Sequence, residues 1–343
     1  MSFYLLILMA FSMVTGTLIT ISSSHWLLAW TGLEINTFAV IPLMTQKYIP
    51  RTMEATIKYF IIQTTATATL LFASISNAWI LGQWEIQQMT HPLPLTMIYL
   101  ALALKLGLAP VHTWFPEIIQ GLTLPLGLIL STWQKLAPIS LMLQLPEHEL
   151  ITTLSLLSIM MGGWGGLNQT QLRKILGYSS VSNLGWMLLI FQYDTDTAFL
   201  IFCAYVIPAF FLFFTFWLNQ TTSINALSTS WTKTPLLSAT IPLILLSSGG
   251  MPPLTGFALK WVVLSELADH DLELMALTAA LSALLTLYFY LRLSYALILT
   301  TPPNNLPTTL PWRINFQQPM MFLAICATLA LCLLPMTSML TEA

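Results

Sequence analysis

The sequence predicts an all-α, polytopic membrane protein, and three observations lead to this prediction. Of the 343 residues, 56% are hydrophobic and only 7% are charged, against about 25% charged in a typical soluble domain. Apolar runs of about 20 residues, the length of helix that crosses a bilayer, recur from one end of the chain to the other. These runs do not alternate between polar and apolar residues, as the strands of a membrane barrel do.

About eleven such segments follow one another, and only short loops separate them. They cover about residues 3–21, 25–45, 55–78, 94–122, 124–145, 150–168, 171–192, 196–220, 235–265, 273–299 and 318–340. We interpret residues 1–343 as a single membrane domain. It contains a first five-helix repeat at 1–149, a second at 150–300, and a loop with a C-terminal transmembrane helix at 301–343.

Two of these segments, the fourth and the ninth, contain glycine and proline in their interiors. The fourth includes Gly107-Leu108-Ala109-Pro110, and the ninth includes Gly249-Gly250-Met251-Pro252-Pro253. Proline removes a backbone donor, and within a bilayer the freed carbonyls need protein or water as partners. Because the two breaks lie five segments apart, the two repeats are predicted to be inverted. Paired broken helices in inverted repeats are typical of ion-coupled transporters, although two ordinary proline kinks are the alternative.

Four charged side chains lie in the middle of apolar segments and are the candidate functional residues. They are Glu34, Lys105, Lys135 and Lys260. Each ionised group costs at least ~3 kcal/mol to bury in hydrocarbon. Burial and neighbouring charges change the proton affinity of lysine and glutamate strongly, so this set indicates a proton relay. The alternative is static ion pairing, which accounts for one lysine with Glu34 and leaves the other lysines without an acid.

Four further ionisable side chains lie beside the predicted breaks or the membrane surface. His112 follows Pro110 closely, and it either carries protons or bonds a freed carbonyl. Glu117 either caps a short helix or faces water. Lys58 and Arg292 are interpreted as anchors at the membrane interface, because long basic side chains reach from apolar segments to the headgroups.

Charges in the predicted loops separate by sign between the two sides of the membrane. Loops on the side of the N-terminus carry Lys47, Arg51, Arg173, Lys174, Lys233 and Arg313. Loops on the other side carry Glu85, Glu147, Glu149, Asp194, Asp196, Asp269, Asp271 and Glu273, and Glu342 lies in the C-terminal tail. Since basic loops stay on the cytoplasmic or matrix side, the N-terminus is predicted there and the C-terminus opposite. Glu54, an exception, is predicted to pair with Arg51.

The chain contains no motif for redox or metal chemistry. Cys203, Cys326 and Cys332 lie in apolar segments without the C-x-x-C spacing of iron–sulfur or zinc sites, and we expect them to be buried apolar side chains. No glycine-rich phosphate loop or dinucleotide fingerprint is present. We therefore expect no cofactor or metal on this chain, and no nucleic acid as a partner.

The broken segments and their lysines carry a resemblance to a known family. The matching residues are Gly107-x-x-Pro110-x-His112-x-Trp114-x-Pro116-Glu117, Lys105, Lys135, and Gly249-x-x-Pro252-Pro253 before Lys260. Over essentially the whole chain, this pattern resembles the antiporter-like membrane subunits of respiratory complex I. In that family two inverted five-helix bundles carry a lysine relay on broken helices. The chain looks like the animal form, which lacks the first three of the fourteen helices of bacterial relatives.

The resemblance implies a core membrane-arm subunit of the proton-translocating NADH:ubiquinone oxidoreductase. Other subunits would then bind NADH, FMN, iron–sulfur clusters and ubiquinone. The implied partners are membrane lipid, accessory subunits and neighbouring membrane-arm subunits such as subunits 4 and 4L. The implied location is the mitochondrial inner membrane, with the N-terminus on the matrix side and the C-terminus on the intermembrane-space side.

Two departures from the family pattern concern the second repeat. The seventh segment has no acid corresponding to Glu34, and Asn183 stands where many relatives have a histidine, so it cannot titrate. Two other functions are compatible with the composition. One is an Mrp-like cation/proton antiporter of the same fold, and the other is a structural spacer, which gives no reason for four buried charges.

Overall fold

The computed structural model describes residues 3–46, 48–232, 234–300 and 320–332, and helices account for most of them. Within these ranges there is no β-strand, and only two isolated bridges, His25–Glu85 and Gln171–Ser223, pair extended backbone. The predicted loop charges Lys47, Lys233, Arg313 and Glu342 lie outside the described residues, as does the end of the last predicted segment. The chain divides into two compact units between Leu154 and Ser155.

The first unit contains seven helices in its described part. They are α1 (Phe3–Ser22), α2 (Trp26–Met44), α3 (Pro50–Leu81), α4 (Pro92–Leu106), α5 (Trp114–Gly121), α6 (Leu124–Ser131) and α7 (Trp133–Gln144). Helix α3 packs against α2, α4 and α5, while α1 packs against α2 and α7. A β-carbon on Gly16 would lie only 2.9 Å from the carbonyl oxygen of Gly32. Small residues thus bring α1 and α2 close together, as is common between membrane helices.

The division between the units falls within α8 (Leu150–Gly166), and the other helices follow it. They are α9 (Leu172–Ile190), α10 (Thr195–Asn219), α11 (Ile224–Ser228), α12 (Pro235–Gly249), α13 (Thr255–Asp269), α14 (Glu273–Ile298) and α15 (Met320–Cys332). Helix α12 packs against α10, α13, α14 and α15, and α9 packs against α10 and α13.

The lengths and composition of the helices confirm a polytopic helical membrane protein. Among the described residues, six stretches have the length and hydropathy of a full span: α1, α2, α3, α6 with α7, α10 and α14. Shorter apolar helices occupy Pro92–Leu106, Leu150–Gly166, Pro235–Gly249 and Met321–Leu331. Fewer helices than the predicted eleven are therefore full-length, partly because the fourth and ninth segments are divided.

Both predicted interruptions are present, and a glycine ends the helix at each. After α4, Gly107 has φ 76°, and its N–H donates to the Ala103 carbonyl at 2.9 Å. After α12, Gly250 has φ 87°, and its N–H donates to the Leu246 carbonyl at 3.1 Å. This left-handed conformation is accessible to glycine and strained for other residues. Gly107-x-x-Pro110 and Gly250-x-Pro252 therefore each produce a helix end followed by a non-helical turn.

A third interruption, which the sequence analysis missed, divides the predicted fifth segment at Thr132. This residue has φ −118° and ψ −70°, and the hydroxyls of Ser131 and Thr132 both donate to the Leu128 carbonyl, at 2.9 and 2.8 Å. Such side-chain bonds compete with the helical ladder, and Pro138 removes a further ladder bond. Lys135 was expected in the middle of a helix, and it lies instead in the first turn of α7.

The two described cysteine side chains differ in burial. Cys326 on α15 is buried, whereas Cys203 on α10 is exposed, so the prediction of a buried Cys203 is wrong. Cys203 lies on the outer face of an apolar helix. A thiol is apolar enough to face lipid there, because lipid tails solvate apolar side chains as well as a protein core does.

Candidate functional site

Lys105 and Lys135 line one small cavity inside the first unit. Lys105 lies in the last turn of α4 and is 7% exposed, and Lys135 in the first turn of α7 is 2% exposed. The cavity they share has a volume of about 20 Å³, which is enough for about one water molecule. The interruptions after α4 and before α7 therefore bring the two amines, 30 positions apart in sequence, to the same polar space.

The rest of the cavity wall carries amides and hydroxyls from α2, α3 and α7. The polar lining residues besides the lysines are Asn36, Thr37, Tyr59, Gln63 and Gln134. The Gln134 side-chain amide donates to Asn36 Oδ1 at 2.9 Å, and the Tyr59 hydroxyl lies 3.5 Å from Gln134 Oε1. The sequence analysis gave none of these residues a functional role. The only feature of the sequence that could have indicated two of them is the four-residue spacing of Tyr59 and Gln63, which puts both on one face of α3.

Glu34 is the carboxylate that interacts with one of these lysines. It is half-buried on α2 and interacts electrostatically with Lys105. Its neighbour Thr37 donates to the Glu34 backbone carbonyl at 2.8 Å, and the Thr37 hydroxyl lies 3.4 Å from Glu34 Oε2. Thr37 lines the cavity, whereas Glu34 does not. Three of the predicted site residues, Glu34, Lys105 and Lys135, are thus brought together in the first unit.

An aromatic ring accompanies the Lys135 amine. The Lys135 Nζ atom lies 5.1 Å from the ring centroid of Phe115, on α5. A cation over an aromatic face is attracted by the ring quadrupole, by ~2 kcal/mol when the pair is desolvated. Phe115 therefore adds an aromatic face to the surroundings of the Lys135 amine.

His112 lies in the turn between α4 and α5 and does not line the cavity. Its side chain is 4% exposed and forms a hydrogen bond with the backbone of Pro110. This contact is the one expected if His112 satisfies a carbonyl freed by the helix break. A role for His112 in proton transfer stays a prediction.

Lys260 lines a separate cavity inside the second unit. It lies in the second turn of α13, and its Nζ atom donates to the carbonyl of Gly249, at the end of α12, at 2.8 Å. A β-carbon on Gly250 would lie 2.9 Å from the same Nζ atom. The cavity has a volume of about 60 Å³, enough for a few water molecules. The second interruption thus supplies both the acceptor for Lys260 and the space around it.

Lys58 forms an ion cluster that differs from the predicted pairing. Its Nζ atom lies 2.9 Å from Glu54 Oε1, one turn earlier on α3, and 3.0 Å from Glu117 Oε2 on α5. The prediction that Glu54 pairs with Arg51 is therefore wrong, because a spacing of four residues aligns Glu54 with Lys58 on one helix face. All three side chains are partly exposed, so the cluster connects α3 with the short helix α5 at the surface of the first unit.

Arg292 contacts the end of a neighbouring helix, which suits the predicted anchor. Its Nη1 atom donates to the carbonyl of Leu167, just after α8, at 2.9 Å. A cation at a helix C-terminus is worth about 0.3–1 kcal/mol when exposed. We expect Arg292→Gln to lower the amount of assembled protein, seen as a weaker band on native electrophoresis, while transport by the assembled fraction is unchanged. A selective transport defect at normal assembly would contradict this anchor role.

The described residues contain no group of three or more His, Cys, Asp or Glu side chains placed to hold a metal ion. The polar groups in the two cavities are amines, amides and hydroxyls, with one carboxylate near the first cavity, and apolar side chains form most of the remaining wall. Such polar groups bind and pass protons and hold water, but they carry no electrons. A helical membrane protein with these polar cavities at its helix breaks has the features of a proton-transferring membrane subunit.

Comparison with known proteins identifies the class. A sequence profile described as NADH:quinone oxidoreductase/Mrp antiporter, transmembrane, matches residues 23–286, and a profile for the NADH dehydrogenase subunit 2 C-terminus matches residues 287–341. The chain therefore belongs to the NADH:quinone oxidoreductase/Mrp antiporter transmembrane family.

Within this family, the chain is similar to NADH-ubiquinone oxidoreductase chain 2 of vertebrates. It is 60% identical to that protein of Tetraodon nigroviridis over 339 residues, which cover 98% of this chain and 97% of the relative. The protein of Salmo salar is 55% identical over 341 residues, with 98% of both chains covered. The resemblance seen in the sequence motifs is thus confirmed at the level of a particular subunit.

Two solved structures share the fold. Respiratory complex I from Thermus thermophilus with bound aureothin contains a chain that matches with a TM-score of 0.85 and 25% identity, covering 98% of this chain and 80% of that one. The Mrp complex from Dietzia sp. matches with a TM-score of 0.72 and 16% identity, covering 82% and 58%. The second likeness is one of fold alone.

Proposed function

We propose that Glu34, Lys105 and Lys135 form a proton relay in a membrane subunit of NADH:ubiquinone oxidoreductase. The chain is a subunit of this proton-translocating enzyme and a multi-pass mitochondrial membrane protein. The observation that carries the proposal is the shared polar cavity, which brings two buried amines together beside an electrostatically coupled carboxylate. Electron transfer between NADH and ubiquinone takes place on NADH, FMN, iron–sulfur clusters and ubiquinone held by other subunits.

The electrostatic coupling explains how charge changes drive proton movement. When Glu34 carries a negative charge, it favours the protonated form of Lys105, and when it is neutral this support is lost. Lys105 then releases its proton more readily, and the neutral Lys135 amine on the same cavity is available to accept it. The cavity has room for about one water molecule, through which the proton would pass. The direction of transfer follows the charge on Glu34.

Static ion pairing explains the first unit less well than a relay does. An isolated buried pair is satisfied by one acid and one base, whereas here two amines share the cavity and one carboxylate lies beside it. Two like charges in one small cavity repel each other, so protonation of one amine disfavours protonation of the other. This mutual dependence favours proton transfer between the two amines, whereas it would destabilise an arrangement whose only role is structural.

For the second unit we propose that Lys260 also carries protons. This assignment is supported by its position at the second helix break and beside a cavity of about 60 Å³. We further propose that residues 1–149 and 150–300 are inverted five-helix repeats within about eleven spans. The N-terminus would then face the matrix and the C-terminus the intermembrane space. Subunits 4 and 4L, accessory subunits and lipid would be the neighbours.

An Mrp-like antiporter has the same fold, but it is only a distant relative of this chain. A purely structural spacer leaves the buried lysines unexplained. Extraction in a mild detergent, followed by native electrophoresis with an in-gel stain for NADH oxidation, separates the antiporter from a subunit of the oxidoreductase. We expect this chain in a large NADH-oxidising band. Its migration with only a few small membrane proteins would favour the antiporter and contradict the proposal.

Replacing Lys135 with methionine tests the relay in the intact complex. Methionine keeps the length of the side chain and removes the amine, so we expect fewer protons translocated per NADH oxidised, with assembly and NADH oxidation retained. Proton uptake by liposomes containing the purified complex measures the ratio. The matched control is Lys174→Met, because Lys174 lies near the start of α9 and lines neither cavity. An unchanged ratio in Lys135→Met would remove Lys135 from the relay.

A further inference from the structure

A second ionisable side chain, Tyr290, lies deep in the wall of the Lys260 cavity. It is on α14, is 3% exposed, and its hydroxyl interacts with the side chains of Ser179 on α9 and Ser248 near the end of α12. Ser179, Ser248, Lys260 and Tyr290 all line the cavity. Serine hydroxyls from two other helices therefore lie beside one tyrosine, in the wall of a cavity that Lys260 also lines.

Each of the two serines has a second hydrogen-bond partner on its own helix. The Ser179 hydroxyl donates to the Leu176 carbonyl at 2.8 Å, and the Ser248 hydroxyl donates to the Leu245 carbonyl at 2.8 Å. A hydroxyl has one proton to donate and two lone pairs to accept. Each serine can thus turn its proton toward its own helix or toward Tyr290, and this rotation resets a hydroxyl chain after a proton has passed.

The wall of this cavity offers Lys260 no carboxylate partner. Of the described residues that line it, Lys260 alone is charged, in contrast to the first unit, where Glu34 acts on Lys105. Asn183, one helical turn after Ser179, also lines the cavity and holds water without titrating. A proton that leaves or reaches Lys260 through this cavity therefore travels through hydroxyls and water.

We propose that Tyr290 carries protons in the second unit, linking Ser179 and Ser248 to Lys260 through water in the cavity. In each step one O–H bond of Tyr290 breaks as its proton passes to one neighbour. A new O–H bond forms with a proton from the other neighbour, so the tyrosine stays neutral overall. Rotation of the hydroxyls then restores the starting arrangement. This inference rests on the proposed role of Lys260 in proton translocation.

The competing explanation is structural, because the same side-chain contacts also connect α14 with α9 and α12. Tyr290→Phe separates proton transfer from a structural role of the ring, since phenylalanine keeps the ring and its packing and removes only the hydroxyl. Tyr288→Phe is the matched control, because Tyr288 is two residues away on the same helix and 59% exposed. Both variants are to be compared with Lys260→Met in the intact complex in liposomes, by protons translocated per NADH oxidised.

We expect Tyr290→Phe to slow proton transfer through this unit by about 100-fold, the lower end of what a positioned proton carrier contributes. Its ratio of protons to NADH should fall as far as that of Lys260→Met, whereas Tyr288→Phe should match the unchanged protein. A second variant, Tyr290→His, should restore part of the ratio. The restored transport should depend on pH between about 5 and 8, where histidine titrates, and a purely structural role predicts no such dependence.

The outcomes distinguish this inference from the proposed function. A lowered ratio in Lys260→Met with a normal ratio in Tyr290→Phe would overturn the role of Tyr290 and leave Lys260 on the path. A normal ratio in Lys260→Met would remove the cavity from the path and overturn both. Equal losses of assembly in Tyr290→Phe and Tyr290→His, with normal ratios in the assembled complex, would assign Tyr290 to packing.

Discussion

Replacing Lys105 with alanine is expected to reduce the number of protons translocated per NADH oxidised, while the complex still assembles and oxidises NADH. Lys105 is the amine that both lines the first cavity and interacts with Glu34, so its loss interrupts the relay at its coupling point. A positioned proton carrier typically contributes about 10²- to 10⁴-fold in rate. Transport through the first unit should therefore be lost. The measurement is proton uptake by liposomes containing the purified complex.

Lys105→Arg separates a relay from an ion pair at the same position. Arginine keeps the positive charge and therefore the attraction to Glu34, but it does not release its proton in proteins. A relay predicts that Lys105→Arg pumps as poorly as Lys105→Ala, even where it assembles better. If Lys105→Arg translocates protons normally, the role of Lys105 is static pairing with Glu34.

Replacing Glu34 with glutamine should have the second-largest effect on transport. Glutamine preserves the size of the side chain and removes the charge that acts on Lys105. We expect proton transfer to slow by about 5- to 150-fold, the range typical of coupled sites, because the amines and the cavity remain. The control is Glu54→Gln, since Glu54 lies on α3 and pairs with the surface residue Lys58. A similar loss in both variants would point to a general effect of removing a carboxylate.

The double variant Glu34→Gln with Lys105→Ala tests whether the two residues act as one unit. If Glu34 acts through Lys105, the double variant should be no worse than Lys105→Ala alone, since neighbouring groups that share one function are not additive. If the losses in transfer rate multiply, Glu34 acts independently of Lys105. The number of protons translocated per NADH decides between the two cases. It is measured in liposomes prepared in the same way for the unchanged protein, the two single variants and the double variant.

Much of the fold could be predicted from local sequence. Apolar runs of spanning length predicted the helices, and the Gly-x-x-Pro sequence at Gly107 predicted the end of α4, because that glycine adopts a left-handed conformation. The break at Thr132 was missed because it is accompanied only by two hydroxyls that donate to the Leu128 carbonyl. Serine and threonine are also common in uninterrupted membrane helices, so their presence in a sequence gives no reliable signal of a break.

The site was predictable in its charged members and not in its neutral ones. A charge inside an apolar segment costs several kcal/mol and is visible in one sequence, so Lys105, Lys135 and Lys260 stood out. Gln134 and Tyr290 did not, because amides and hydroxyls cost little along a helix and have roles only through their partners. The pairing of Lys58 with Glu117 joins two helices, and no spacing within either helix indicates it.

The sequence by itself determined that this protein is a helical membrane protein of the antiporter-like family with lysines at depth. Hydropathy and buried charge are properties of single segments, so they require no knowledge of neighbours. Only the tertiary structure decided that Lys105 and Lys135 share one cavity, that Glu34 acts on the first of them, and that Tyr290 meets Ser179 and Ser248. These relations join residues from different helices, and their energies depend on distances that only packing sets.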